Sequence, residues 1–161
     1  MRKVIGIIGW KDVGKTFLAT EIIKLLVQKG YKVGTIKHAH HDFDIDKPGT
    51  DSFKHRQSGS SEVIISSSKR WAKIVENNTK KEKKLNELLK EFIDIDIVIV
   101  EGFKKENHPK IEIISQNSKI INNKIKNVVA VVSDNLIDTN IPIFKKNDIK
   151  SLTQFIIDKF L

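Results

Sequence analysis

The stretch Gly9-Trp10-Lys11-Asp12-Val13-Gly14-Lys15-Thr16 constrains this chain more than any other. It fits G-x-x-x-x-G-K-[ST], a loop that wraps phosphate. The pattern fixes only four positions, so its context matters. The apolar run Val4-Ile5-Gly6-Ile7-Ile8 stops directly before it and reads as a buried parallel strand, and a helical pattern starts at its last residues. Strand, glycine-rich loop and helix is the order the chemistry needs. Gly9 and Gly14 let the backbone turn tightly and approach a phosphate without Cβ clashes. The loop N–H groups form an anion-binding nest, and the helix N-terminus adds free donors and the positive end of its dipole. Lys15 suits the β/γ-phosphates, and the Thr16 hydroxyl suits Mg²⁺.

The chain has 161 residues, enough for one domain with a substantial core. A composition of 39% hydrophobic and 30% charged residues reads as globular. No apolar run is long enough for a transmembrane helix. The N-terminus enters a strand at once, without a signal-peptide cleavage site, so a cytoplasmic protein with no membrane partner is expected. With no cysteine, disulfides, thiolate metal sites and cysteine catalysis are excluded. The net charge of +9 raises the question of nucleic acid. The lysines are spread along the whole chain, and the densest run, Lys80-Lys81-Glu82-Lys83-Lys84, has no aromatic stripe beside it. A general attraction to anions such as nucleotides follows; specific nucleic-acid binding does not.

After the loop, residues 16–29 read as a helix with Leu18, Ile22, Leu25 and Leu26 on its buried stripe, stopped by Gly30. Tyr31 to Ile36 reads as a second strand, completing a βαβ unit. A long polar segment, residues 37–51, follows. Its Asp42, Asp44 and Asp46 alternate like a Ca²⁺ loop, but Lys47 and Phe53 stand where glycine and glutamate are needed. His38, His40 and His41 raise a transition-metal site, with no spaced partner motif to support it. A third reading is favoured: a nucleotide-sensing switch at the C-terminal edge of a strand, where open α/β sheets bind ligands. In it Lys37 and His38 approach the γ-phosphate, while Asp46 or Asp51 positions a Mg²⁺-bound or attacking water.

Residues 51–58 read as a short helix carrying Arg56, a candidate anion contact. Glu62–Ser66 and Trp71–Val75 read as two strands joined by a turn, and Leu85, Leu88, Leu89 and Phe92 mark another amphipathic helix. Ile97-Val98-Ile99-Val100-Glu101-Gly102 is the second anchor. An apolar β-branched run ending in an acid resembles the metal-binding strand of P-loop proteins, with Glu101 close to Mg²⁺. Pro109-Lys110-Ile111-Glu112-Ile113-Ile114 reads as a strand begun by proline, with an edge position expected. Residues 115–127 read as a polar loop. Val128–Val132 reads as a buried strand; Asp134, just beyond it, is the candidate base-reading carboxylate. A short strand at residues 141–144 and a helix at 148–160 close the chain. The expected fold is α/β and P-loop NTPase-like: a mostly parallel sheet flanked by helices, with some antiparallel edge strands, in a single nucleotide-binding domain over residues 1–161.

Several stretches together resemble one family, the MobB adapter proteins of molybdopterin-guanine dinucleotide biosynthesis. They are the P-loop, Gly34-Thr35-Ile36-Lys37-His38 with the histidine- and aspartate-rich segment after it, His55-Arg56 before Gly59, and Lys69-Arg70-Trp71-Ala72. Val100-Glu101-Gly102-Phe103-Lys104, Pro109-Lys110-Ile111-Glu112 and the closing Ile141-Pro142-Ile143 with its helix extend the likeness over nearly the whole chain. The resemblance implies a homodimeric protein that binds GTP with Mg²⁺ and hydrolyses it weakly. It further implies assistance to the molybdopterin guanylyltransferase, the enzyme that attaches GMP to molybdopterin or its molybdenum form. No Asn-Lys-x-Asp guanine motif follows a strand, so guanine preference comes from the resemblance. Two rivals remain. A P-loop small-molecule kinase needs an arginine-rich lid, and the chain's arginines are Arg2, Arg56 and Arg70. A basic nucleic-acid-binding module would show a steep salt dependence.

Overall fold

The computed structural model describes residues 3–39, 42–77, 81–115 and 125–161. These fall into two compact units, residues 1–38 with 85–161 and residues 39–84.

The larger unit is built on six strands: β1 (Lys3–Gly9), β2 (Val33–Lys37), β5 (Ile97–Glu101), β6 (Lys110–Ile113), β7 (Val128–Val132) and β8 (Ile143–Phe144). They run in the order β2-β5-β1-β6-β7-β8, and every pairing is parallel. Helix α1 (Lys15–Gln28) follows β1, and α4 (Ile149–Phe160) closes the chain. Asp148 caps α4 by accepting from the Ser151 N–H at 3.3 Å. The connection from β1 through α1 to β2 skips one position, because β5 lies between the two strands.

Alternation along the central strands gives the sheet two faces. On one, Ile5, Ile7, Ile97, Ile99, Ile111, Ile113, Ala130 and Val132 pack against Leu18, Ile22 and Leu26 of α1 and Leu152 and Ile156 of α4. Full burial of such a side chain is worth about 1.5–3 kcal/mol, so this layer supplies most of the fold's driving force. On the other, Val4, Val98, Val100 and Phe103 pack against Leu85. Leu85 belongs to α3 (Leu85–Leu88), which is continued by a 3₁₀ turn over Leu89–Glu91; the helix is shorter than its leucine spacing predicts.

The smaller unit holds α2 (Asp51–Gln57) and an antiparallel pair, β3 (Glu62–Ser66) with β4 (Trp71–Val75). The antiparallel pairing thus forms a separate ribbon, and both edges of the six-stranded sheet are parallel strands. Among the described residues, no helix is long and apolar enough to cross a membrane.

The expectation of an edge position for the strand after Pro109 is corrected: β6 lies inside the sheet, between β1 and β7. Proline is tolerated because it precedes the strand, where its missing N–H is not needed, while its carbonyl accepts from the Gly6 N–H at 2.8 Å. The polar residues of this strand, Lys110 and Glu112, are both fully buried. His40 and His41, and most of the polar segment 115–127, lie outside the described residues.

Candidate functional site

β1 ends at Gly9, and the loop to α1 is shaped by three left-handed residues, Gly9 (φ 154°), Asp12 (φ 60°) and Gly14 (φ 98°). A Cβ at Gly9 would stand 2.7 Å from the Ile113 carbonyl oxygen, so the loop can pass over the end of β6 only as glycine. Asp12 takes a conformation that aspartate tolerates better than most residues. Val13 is buried in the main core and pins the loop from below. Gly14 is the N-cap of α1 and has no capping side chain, which leaves the first N–H groups of the helix facing the loop. The Lys15 ammonium folds back over the loop and donates to the Trp10 carbonyl at 2.6 Å.

The first turn of α1 meets the end of β5. The Thr16 hydroxyl lies 3.1 and 3.0 Å from the two carboxylate oxygens of Glu101 and donates to that carboxylate. Parallel register puts Glu101 beside Ile7 of β1 on one side and Lys37 of β2 on the other. His38 donates its backbone N–H to the Glu101 carbonyl at 2.9 Å. Beyond Glu101, Gly102 (φ 99°) turns back, its N–H donating to the Ile7 carbonyl at 3.2 Å. The His38 side chain lies where a Gly102 Cβ would be, and its ring stacks on Phe103 at 4.5 Å between centroids.

The structure therefore brings together Gly9 to Thr16, Lys37, His38 and Glu101 at the C-terminal ends of adjacent strands. A glycine-shaped loop, a lysine inside it, and a hydroxyl beside a carboxylate are oxygen and nitrogen groups that suit a phosphate chain and a hard divalent cation. The residues present fit a magnesium nucleotide.

Asp134 follows β7, two strands from β1, and is exposed; its Oδ1 accepts from the Lys146 N–H at 3.1 Å, which ties it to the turn before α4. Asp46, Asp51 and Arg56 belong to the smaller unit. There Arg56 donates to both oxygens of Asp46, at 2.7 and 3.0 Å, to Asp44 at 2.7 Å and to Glu76 at 2.6 Å. These carboxylates raise the Arg56 pKa, and Arg56 in turn holds the Asp46 carboxyl below its ordinary value. The candidate anion contact is engaged by three carboxylates, and both oxygens of Asp46 are engaged by Arg56. Asp51 is exposed, with Lys54 at 3.4 Å.

Two groups near the loop are absent from the sequence-derived set of candidate site residues. Lys104 Nζ lies 5.4 Å from the centre of the Trp10 ring. Glu112 is fully buried on β6, in register with Ile8. An acid between two isoleucines, Ile111 and Ile113, was the available signal for Glu112. For Lys104 the available signal was its place in the stretch Val100-Glu101-Gly102-Phe103-Lys104, which carries the family resemblance.

Known proteins agree with this architecture. The family model described as "MobB: Molybdopterin guanine dinucleotide synthesis protein B" matches residues 4–134. A molybdopterin-guanine dinucleotide biosynthesis adapter protein of Escherichia coli is 32% identical over 163 residues, covering 98% of this chain and 93% of its own length. The protein of the same description from Haemophilus influenzae is 35% identical, covering 95% and 86%. A crystal structure of molybdopterin-guanine biosynthesis protein B superposes with a TM-score of 0.80 at 26% identity, covering 96% of this chain and 97% of that one. The parallel sheet, the phosphate-type loop and these matches over almost the whole length agree: the chain belongs to the MobB family.

Proposed function

We propose that this protein is a GTP-binding adapter with weak Mg²⁺-dependent GTPase activity. It would assist the nucleotidyltransferase that attaches GMP to molybdopterin, acting as a homodimer. The observation that carries the nucleotide half of this reading is the Thr16–Glu101 contact beside the loop of Lys15. The biosynthetic half rests on membership of the MobB family and on the adapter proteins of Escherichia coli and Haemophilus influenzae.

In this reading the loop N–H groups and Lys15 take the phosphates, and Thr16 and Glu101 hold the metal directly or through water. Mg²⁺ supplies charge neutralisation at the phosphate oxygens when it is bound with the nucleotide. Lys37 and His38, at the end of β2 beside Glu101, sense the terminal phosphate and start the switch segment. Asp134 is the proposed reader of the base.

Isothermal titration tests the site. Lys15→Ala should abolish measurable GTP binding in a folded protein, and unchanged affinity would remove the assignment. Glu101→Gln should slow hydrolysis more than it weakens binding, because the metal acts mainly on charge that develops during transfer. The adapter role is tested by adding the protein to the guanylyltransferase reaction with GTP and, separately, with a non-hydrolysable analogue. No change in product yield in either case would refute it.

A further inference from the structure

The turn that leaves the metal-binding strand does something the P-loop motif does not require. Gly102 (φ 99°) is followed by Phe103 (φ 49°), two left-handed residues in succession, the second with a bulky side chain. Such a conformation persists only where the surroundings over-determine it, and it clusters at functional sites. Here the surroundings are specific. Phe103 is buried, its ring lies on His38, and the Gly102 N–H is tied to the Ile7 carbonyl. The effect is to send the chain back toward the loop, so that Lys104, three residues after Glu101, sets its ammonium over the Trp10 ring at 5.4 Å.

Lys15 uses the same residue, donating to the Trp10 carbonyl at 2.6 Å. Two ammonium groups from different elements thus converge on one loop residue. Like charges so placed repel, and burial with the Lys15 charge depresses the Lys104 pKa. Opposing this is Glu112, a fully buried carboxylate on β6 whose charge favours the ammonium form. Two cations gathered on one loop residue, one of them over its aromatic face and favoured by a buried acid, make the surroundings of Trp10 suited to an anion.

We propose that Lys104 is a second phosphate-recognising cation of this site, held over Trp10 by the left-handed turn at Gly102 and Phe103, and that it selects for the terminal phosphate of a nucleoside triphosphate. This rests on the nucleotide-binding reading above. The loop lysine of such sites reaches the β- and γ-phosphates. Sharing Trp10 with Lys15 places Lys104 at that same end of the phosphate chain.

The test compares GTP and GDP affinities of the full-length protein with Mg²⁺ for Lys104→Gln, Lys104→Arg and Lys15→Ala, each first checked for a native thermal transition. Loss of one charge-assisted contact predicts a GTP affinity lower by about tenfold or more in Lys104→Gln, with GDP changed by less than about threefold. Lys104→Arg, which keeps the charge, should recover most of the GTP affinity. A merely structural Lys104 would lower both affinities alike, and that result would overturn the proposal. Unchanged affinities in Lys104→Gln while Lys15→Ala abolishes binding would overturn it too, leaving the P-loop reading intact. If Lys15→Ala also changes nothing, the nucleotide-binding reading falls and this proposal falls with it.

Discussion

Strands β1 and β6 lie side by side, yet their two faces obey different rules. Toward α1 and α4, Ile5, Ile7, Ile111 and Ile113 pack within the main apolar cluster. On the opposite face the same two strands carry Gly6, Lys110 and Glu112, with the His108 ring lying where a Gly6 Cβ would be. Lys110 is fully buried, and its ammonium donates to three backbone carbonyls, those of Glu106 at 2.5 Å, His108 at 2.8 Å and Lys126 at 3.1 Å. Burial lowers its pKa. The first face is held by area alone, which is non-directional and tolerant. The second adds to the buried Val4 and Ile8 a few polar contacts, each with one geometry, and these hold the loop between β5 and β6 that carries Lys104. The larger apolar cluster lies on one side of the sheet, and the polar contacts that hold the Lys104 loop lie on the other.

The largest effect expected from this division is on the apolar side. Ile22 is fully buried between α1 and the sheet. Ile22→Ala should cost about 2–5 kcal/mol through lost transfer energy and the cavity left behind. Nucleotide affinity of the folded fraction should change much less than stability, because Ile22 lies in the apolar layer and carries no group of the site. Urea denaturation and titration on the same sample check both halves. A small stability cost with a large affinity loss would reverse the assignment of the two faces.

The legible part of this molecule was the part governed by pattern. The strand, loop and helix around Gly9 to Thr16, the acid ending β5 and the strands β3, β4 and β7 follow from runs of apolar residues and their punctuation. The misread part depended on partners distant in sequence. The proline before β6 suggested an edge strand, since nothing local tells that it stands just outside the ladder or that three carbonyls of neighbouring loops satisfy the buried Lys110 ammonium. Arg56 looked available to an anion because Asp44, Asp46 and Glu76 converge on it only after folding. Lys104 stood in the stretch Val100 to Lys104 that carries the family resemblance, but its place over Trp10 was not legible: the left-handed Phe103 that aims it is a backbone state phenylalanine rarely takes.

The second prediction concerns the polar side and pH. His108 is buried, and neither ring nitrogen has a hydrogen-bond partner among the described residues. Burial first, and the Lys110 charge second, push its pKa down from 6.5 to about 4. The unfolded chain therefore takes up a proton below about pH 6.5 that the folded chain refuses until about pH 4, so this histidine makes stability fall as pH drops through that window. Above it, the contribution is flat. By about pH 5 the loss attributable to His108 should approach roughly 2 kcal/mol. His108→Leu should remove that share, so the difference in urea midpoint between neutral and mildly acidic buffer should shrink in the variant. Parallel pH profiles for the two proteins would mean that His108 reaches water in solution.

The smallest effect is expected from one added methyl group. Gly6 is the position where β1 gives up a side chain to let His108 lie flat on it. A Cβ there would overlap the imidazole and stand 3.2 Å from Lys110 Cγ. The backbone itself raises no objection, because Gly6 sits in regular strand geometry and its N–H donates to Pro109 in either case. The whole cost of Gly6→Ala is then one of overpacking, about 1–2 kcal/mol for a displaced ring in a tight environment. His108→Ala opens the space that the new methyl needs. The double variant should therefore be less destabilised than the sum of the two single variants, a coupling that neighbours in contact show and distant sites do not. The same Gly6→Ala change should slightly weaken GTP binding, since pushing on His108 moves the loop that holds Lys104. Strict additivity in the cycle would separate Gly6 from His108 and leave the polar face without the close fit that distinguishes it from the apolar one.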